Sequence, residues 1–88
     1  MSTTSFGKAR MEITVYPIGT GESSVSREVS AIFNVLEKWA LPYEVTLMGT
    51  IVEGTLDALI PLARELHECM FSEQVKRVVT IIKIDEKR

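Results

Sequence analysis

Three parts of the chain have the patterns expected of β-strands, either alternating hydrophobic and polar residues or a short apolar run. The first predicted strand is Met11–Ile18 and the last is Val75–Ile84. Between them, Tyr43–Met48 alternates, Gly49 interrupts the pattern and Ile51–Glu53 resumes it. We interpret this middle region as a hairpin with Gly49 in the turn. A single long strand with a kink is the alternative.

Two further stretches repeat apolar residues at three- and four-residue spacings, which is typical of amphipathic helices. The first predicted helix is Val25–Trp39, and Pro42 prevents it from continuing. The second begins after Thr55, a suitable N-cap. Pro61 lies inside it, so we expect a kink, a loosened first turn or a later start. The apolar stripes are Val25, Val29, Ile32, Phe33, Leu36 and Ala40 in the first helix, and Leu59, Ala63, Leu66 and Met70 in the second.

The element order strand, helix, strand, strand, helix, strand divides into two similar halves. Right-handed crossovers interleave such halves into a four-stranded antiparallel sheet with both helices on one face. The predicted fold class is therefore α+β, a ferredoxin-like βαββαβ sandwich. Residues 11–88 form a single domain, and residues 1–10, small and polar, form a flexible tail. The predicted core contains Ile13, Val15, Ile32, Leu36, Leu59, Ala63 and Leu66.

The last predicted strand is apolar on both faces, since Val78, Thr80, Ile82 and Ile84 point one way and Val79, Ile81 and Lys83 the other. An antiparallel sheet with one face in water should alternate more cleanly. Hydrophobic residues also make up 45% of this 88-residue chain. We therefore expect a homo-oligomer, a tetramer with dihedral symmetry, to cover the second sheet face.

Composition narrows the possible partners. The formal net charge is −2, which argues against nucleic-acid binding, because phosphate contacts need a basic surface. Cys69 is the only cysteine, so no intrachain disulfide can form and a reducing compartment fits. The sequence contains neither a membrane-spanning apolar run nor a signal peptide. We expect a soluble cytoplasmic protein with no membrane partner.

The segment between the first strand and first helix, Gly19–Ser24, contains two glycines followed by two serines. A dinucleotide fingerprint needs a third glycine where Ser24 stands, and a phosphate loop needs a lysine that is absent. Ser23 or Ser24 suits a helix cap. The helix start also suits an anion, so a capped connection and an anion site both remain open.

Catalytic and metal-binding patterns are weak. His67 and Cys69 are two positions apart on a helix and point in different directions, so they do not suit a shared metal. No acid pair or catalytic triad stands out. We therefore expect no enzyme activity, no catalytic residue, no metal and no cofactor.

Hydroxyl side chains supply the remaining candidate chemistry. Tyr16, Thr46 and Thr80 are candidates for the sheet face away from the helices, with carboxylates from Glu44 and Glu53. One interpretation is ordinary cross-strand pairing. The other is a small-molecule pocket with converging hydroxyls and one carboxylate at a subunit interface.

The stretches Pro17–Ser26, Met48–Gly54 and Lys76–Asp85, together with His67–Glu68, resemble the small thiamine-binding protein family. The resemblance covers nearly all of residues 11–88. It implies a ferredoxin-like homotetramer that holds thiamine or a related pyrimidine near subunit contacts, without catalysis. Pro61 departs from the pattern of that family.

Chemistry guides the choice of ligand-binding candidates within this resemblance. Hydroxyls suit the pyrimidine edge, and Glu53 or Tyr16 suits the thiazolium cation. The alternative function is a structural or regulatory protein-interaction module with no small ligand. An acylphosphatase-like hydrolase is third, but its phosphate-loop arginine is absent between Tyr16 and Ser26. The predicted ligand-binding residues are Tyr16, Ser23, Ser24, Thr46, Met48, Thr50, Glu53 and Thr80.

Overall fold

The computed structural model describes residues 8–18 and 25–88. Its elements follow the predicted order, with the hairpin confirmed in place of one long strand. The elements are β1 (Ala9–Ile18), α1 (Val25–Trp39), β2 (Tyr43–Thr46), β3 (Gly49–Gly54), α2 (Leu56–Glu68) and β4 (Arg77–Asp85).

The four strands form one antiparallel sheet in the order β2-β3-β1-β4. Both helices bury apolar side chains against the same face, which we call the helix face; the opposite one is the open face. This confirms the predicted α+β, ferredoxin-like arrangement. Five predicted core residues are buried, and Val15 and Ile32 pack against them partly buried. The buried five are Ile13, Leu36, Leu59, Ala63 and Leu66.

Strand β1 shows how the sequence sets these faces. Ala9, Met11 and Ile13 are buried on the helix face, whereas Arg10 and Tyr16 lie on the open face and are exposed. The strand begins two residues before its predicted start at Met11, because Ala9 pairs with Gly54 and joins the core. Residues 9 and 10, assigned to the tail from the sequence, are therefore part of the sheet.

Two sequence expectations are corrected in the strands. Gly49 opens β3, and the hairpin turn consists of Leu47 and Met48. Thr80 lies on the helix face, because it pairs directly with Val15 and opposed residues of an antiparallel pair share a face. The expectation that Thr80 lies on the same face as Tyr16 is therefore wrong.

Helix α2 begins where predicted. The Thr55 hydroxyl accepts a hydrogen bond from the Ala58 N–H at 3.2 Å, and Asp57 adds a favourable charge in the first turn. The helix is continuous from Leu56 to Glu68 with Pro61 inside it. The helix therefore does not have the later start that was one of the alternatives raised by Pro61 in the sequence.

Candidate functional site

A cavity of about 200 Å³ lies where the β2–β3 hairpin meets the two helices. We call it the hairpin cavity. Its wall combines apolar side chains from the sheet and both helices with three threonines, of which Thr50 faces the helices, whereas Thr14 and Thr46 belong to the open face of their strands. The lining residues are Ile13, Thr14, Val15, Ile32, Val45, Thr46, Leu47, Gly49, Thr50 and Leu66.

Hydrogen bonds around the turn fix the rim of the hairpin cavity. The Thr46 hydroxyl donates to the Gly49 carbonyl at 2.8 Å and accepts from the Met48 N–H at 3.1 Å. The Thr14 hydroxyl donates to the Met48 carbonyl at 3.0 Å, so it ties β1 to the turn. These bonds hold two of the three threonines in place.

Gly49 allows the hairpin to lie close to β1. Its φ angle is +145°, and a Cβ atom there would be 2.6 Å from the Thr14 hydroxyl and 2.9 Å from the Ile13 carbonyl oxygen. Only glycine fits this conformation and this distance without strain. Sequence reasoning found the glycine, but not the contact that requires it.

Thr50 is the buried polar residue of the hairpin cavity, with 7% of its surface exposed. It stands opposite Ile13 on the helix face. An apolar wall with a buried hydroxyl suits an aromatic ring that carries hydrogen-bonding groups on its edge.

A second, shallower groove of about 430 Å³ lies at the other end of the sheet. Charged side chains dominate it, and they pair with one another. Arg10 contacts Glu53 at 3.2 Å, and Lys83 contacts Glu12 at 3.4 Å. It is larger than the hairpin cavity, but four of its six lining residues are charged. Its lining residues are Arg10, Glu12, Ile51, Lys83, Ile84 and Asp85.

The predicted ligand-binding residues do not converge on one cavity within the described parts of the chain. Thr46 and Thr50 line the hairpin cavity, and Met48, in its turn, is exposed. Tyr16 is exposed on the open face. Glu53 shares that face, because it pairs with Arg10. Ser23 and Ser24 lie outside the described residues.

Thr80 has a partner that the sequence pattern did not suggest. The His67 Nδ1 atom lies 2.7 Å from the Thr80 hydroxyl oxygen, a hydrogen bond between α2 and β4. Phe71 packs against the His67 ring edge to face, with centroids 5.3 Å apart. The contact gives partly buried His67 a structural role in joining α2 to β4.

The Cys69 thiol lies 3.1 Å from the Leu66 carbonyl oxygen. Burial raises the pKa of this thiol, which disfavours the reactive thiolate. Across residues 8–18 and 25–88, no three or more His, Cys, Asp or Glu side chains are grouped so that they could hold a metal ion. Neither described helix is long and apolar enough to span a membrane.

The sequence profile described as thiamine-binding protein matches residues 11–88. Two curated relatives belong to a group called UPF0045. The chain is 37% identical to UPF0045 protein MJ1052 of Methanocaldococcus jannaschii, over 92% of this chain and 79% of that protein. It is 36% identical to UPF0045 protein YqgV of Bacillus subtilis, over 88% and 78%.

Solved structures share the fold. The crystal structure of MJ1052 aligns with a TM-score of 0.80 at 36% identity, covering 92% of this chain and 81% of that one. The structure of a domain of unknown function from Bacillus cereus aligns with a TM-score of 0.79 at 26% identity, covering 91% of this chain and 76% of that one. The crystal structure of a proposed thiamine biosynthesis or salvage protein from Thermotoga maritima aligns with a TM-score of 0.73 at 24% identity, covering 91% of this chain and 84% of that one. This likeness shows the fold alone.

Proposed function

The chain belongs to the thiamine-binding protein family, and from this premise we propose that it binds thiamine or a related pyrimidine in the cytoplasm without transforming it. The match of the family profile over residues 11–88 carries the proposal. The hairpin cavity supports it, because an apolar wall with a buried threonine hydroxyl suits an aminopyrimidine ring.

The size of the hairpin cavity decides which part of the ligand it receives. About 200 Å³ is less than the roughly 300–1,000 Å³ of a usual small-molecule pocket. We therefore place the aminopyrimidine ring in the cavity and the thiazolium ring outside it. Thr14 and Thr46 donate hydrogen bonds to the turn, so we assign the contact with the ring edge to Thr50.

The cationic ring needs a carboxylate or an aromatic face. Glu53 and Tyr16 remain candidates, but both lie on the open face. They reach a ligand in the hairpin cavity only from a neighbouring copy in a homotetramer. A phosphate ester would place its anion at the start of α1, near Ser23 and Ser24.

Calorimetry with thiamine, its phosphates and its pyrimidine precursor tests the proposal. We expect saturable binding by the wild-type protein. Thr50→Val should weaken binding about fivefold to tenfold, since one hydrogen bond is worth about 1 kcal/mol. Thr80→Val is the matched control, because it removes the same group outside the cavity, where it contacts His67.

The variants also separate the two faces of the sheet. Equal affinities in wild type and Thr50→Val, with weaker binding in Glu53→Gln, would move the site to the open face. No heat with any of these ligands would refute the binding function. It would favour the alternative, a protein-interaction module, for which the fully exposed Leu47 and the exposed Met48 are the supporting observation.

A further inference from the structure

The hydrogen bonds of β3 show to which neighbour each of its residues is bonded. In an antiparallel sheet the N–H and carbonyl of one residue point to the same neighbouring strand, and successive residues alternate between the two neighbours. The Glu53 N–H donates to the Pro42 carbonyl at 3.0 Å, so Glu53 points to the β2 side. Thr50, three positions away, therefore points to β1, where it lies opposite Ile13.

The same alternation runs along β1. A Cβ atom at Gly49 would lie 2.9 Å from the Ile13 carbonyl oxygen, so this carbonyl points towards β3, as the pairing with Thr50 requires. Val15 and Pro17 follow at two-residue intervals, and their backbone groups point to the same side. Pro17 fits this assignment, because a proline has no N–H and is tolerated where the strand needs no donor.

Val15 lies opposite the hairpin turn rather than opposite a strand. The last pair between β1 and β3 is Ile13 with Thr50. The same register would place Met48 opposite Val15, but Met48 precedes the start of β3 and belongs to the turn. The Val15 N–H and carbonyl therefore point into the space beyond the start of β3.

Threonine hydroxyls occupy the backbone groups of Met48 that a longer β3 would direct at Val15. The Met48 N–H donates to the Thr46 hydroxyl at 3.1 Å, and the Met48 carbonyl accepts from the Thr14 hydroxyl at 3.0 Å. In the described parts of the chain, no backbone hydrogen bond joins Val15 to the turn. Val15 lines the hairpin cavity and is partly buried, so a partner for its two polar groups has to enter that cavity.

We propose that the backbone of Val15 binds the edge of the ligand ring, with its N–H donating to a ring nitrogen and its carbonyl accepting from an adjacent amino group. This contact rests on the proposed binding function and defines its ligand class, a flat ring with an acceptor and a donor side by side. Such an edge supplies what an opposing strand residue would supply. The Thr50 hydroxyl adds a contact from the helix face.

The extent of this free edge favours a single ring over a peptide strand. Only Val15 offers both a donor and an acceptor, since Pro17, the next residue that points to this side, has no N–H. A cavity of about 200 Å³ also has room for one ring rather than for an extended chain. Ile32 and Leu66, one from each helix, line the cavity and provide an apolar surface for one face of the ring.

Amide hydrogen exchange measured by NMR tests this contact without any substitution. In the free protein the Val15 amide should exchange at least about tenfold faster than those of Thr14 and Tyr16, which point to β4 and are bonded there. Saturation with the pyrimidine precursor of thiamine should slow exchange at Val15 at least about fivefold, and more than at Thr14, because the ligand protects this N–H. Equal exchange rates at the three amides in the free protein would overturn the free edge.

A matched pair of ligands tests the Val15 carbonyl by calorimetry. One is the pyrimidine precursor, and the other carries a methyl group in place of the amino group. The methyl analogue should bind at least about fivefold more weakly, since it leaves the carbonyl without a donor.

A backbone variant tests the Val15 N–H. Val15→Pro removes this donor and should weaken binding of the aminopyrimidine about fivefold to tenfold. Tyr16→Pro is the control for the fold, because it removes a donor that points to β4, and it should lower the melting temperature more than Val15→Pro does. If Val15→Pro does not fold, exchange at the wild-type Val15 amide decides the assignment.

The outcomes separate this contact from the binding function itself. Saturable binding with equal affinities for the amino and methyl ligands, and with no added protection at Val15, would overturn the contact while the binding function stands. No heat with either pyrimidine, with thiamine or with its phosphates would refute the binding function and the contact together.

Discussion

Gly49 is the residue on which the shape of the hairpin cavity depends most. Its φ angle of +145° and its approach to the Ile13 carbonyl exclude a side chain. The Gly49 carbonyl also accepts the hydrogen bond from the Thr46 hydroxyl. A sequence pattern identifies a turn here, whereas the structure shows a close contact between β3 and β1.

We expect Gly49→Ala to lower the free energy of unfolding by at least about 1–3 kcal/mol, the cost of a strained backbone conformation, and to weaken ligand binding. Gly54→Ala is the matched control, because its Cβ would lie 3.4 Å from Leu41 Cδ1, in ordinary contact. Urea unfolding of both variants checks this. Equal losses of stability in Gly49→Ala and Gly54→Ala would show that the positive φ angle of Gly49 adds no cost to an alanine at that position.

Among the contacts between secondary-structure elements, Glu65 of α2 links the two helices. Its carboxylate accepts hydrogen bonds from Lys38 and from the Trp39 indole at the end of α1, the latter at 2.9 Å. The hydrogen bonds from Lys38 and Trp39 lower the pKa of Glu65 below its ordinary value of 4.5. Helix α1 ends at Trp39, and the next residue, Ala40, has a φ angle of +58° that turns the chain towards β2.

A lowered pKa in the folded state predicts how stability changes with pH. The contribution of Glu65 is fully present above pH 4.5 and is lost as the pH falls through its folded pKa. We expect the difference in melting temperature between wild type and Glu65→Gln to be constant near neutral pH and to shrink below pH 4.5. Glu68→Gln, on the same helix, is the control. A difference that persists in acid would show that the charge of Glu65 contributes nothing.

At the scale of the whole molecule, both helices cover the same face of the sheet, so apolar side chains on the open face stay exposed. On the open face Tyr16, Ile18, Val79 and Ile81 are each between 38% and 52% exposed, at the end opposite the charged groove. Light scattering at micromolar concentration should give about four times the chain mass of 9.9 kDa, as the proposed tetramer requires. A monomer would refute the tetramer.

The sequence alone determined the number, order and approximate bounds of the helices and strands, because these depend on spacing within each segment. Alternation in β1 identified Ile13 as core, and the Thr55 cap located the start of α2. The family resemblance, confirmed by the profile match, followed from local motifs in the same way.

Only the tertiary structure decided which side chains meet. Alternation divides each strand into two sets, but the pairing between distant strands decides which set faces the helices. Val15 pairs with Thr80, so Thr80 faces His67, while Tyr16 points away. Alternation alone places Thr50 and Glu53, three positions apart in β3, on opposite faces, but only the pairing with β1 shows that Thr50 faces the helices. Register is a non-local property, and a candidate site assembled from several strands therefore could not be fixed from the sequence.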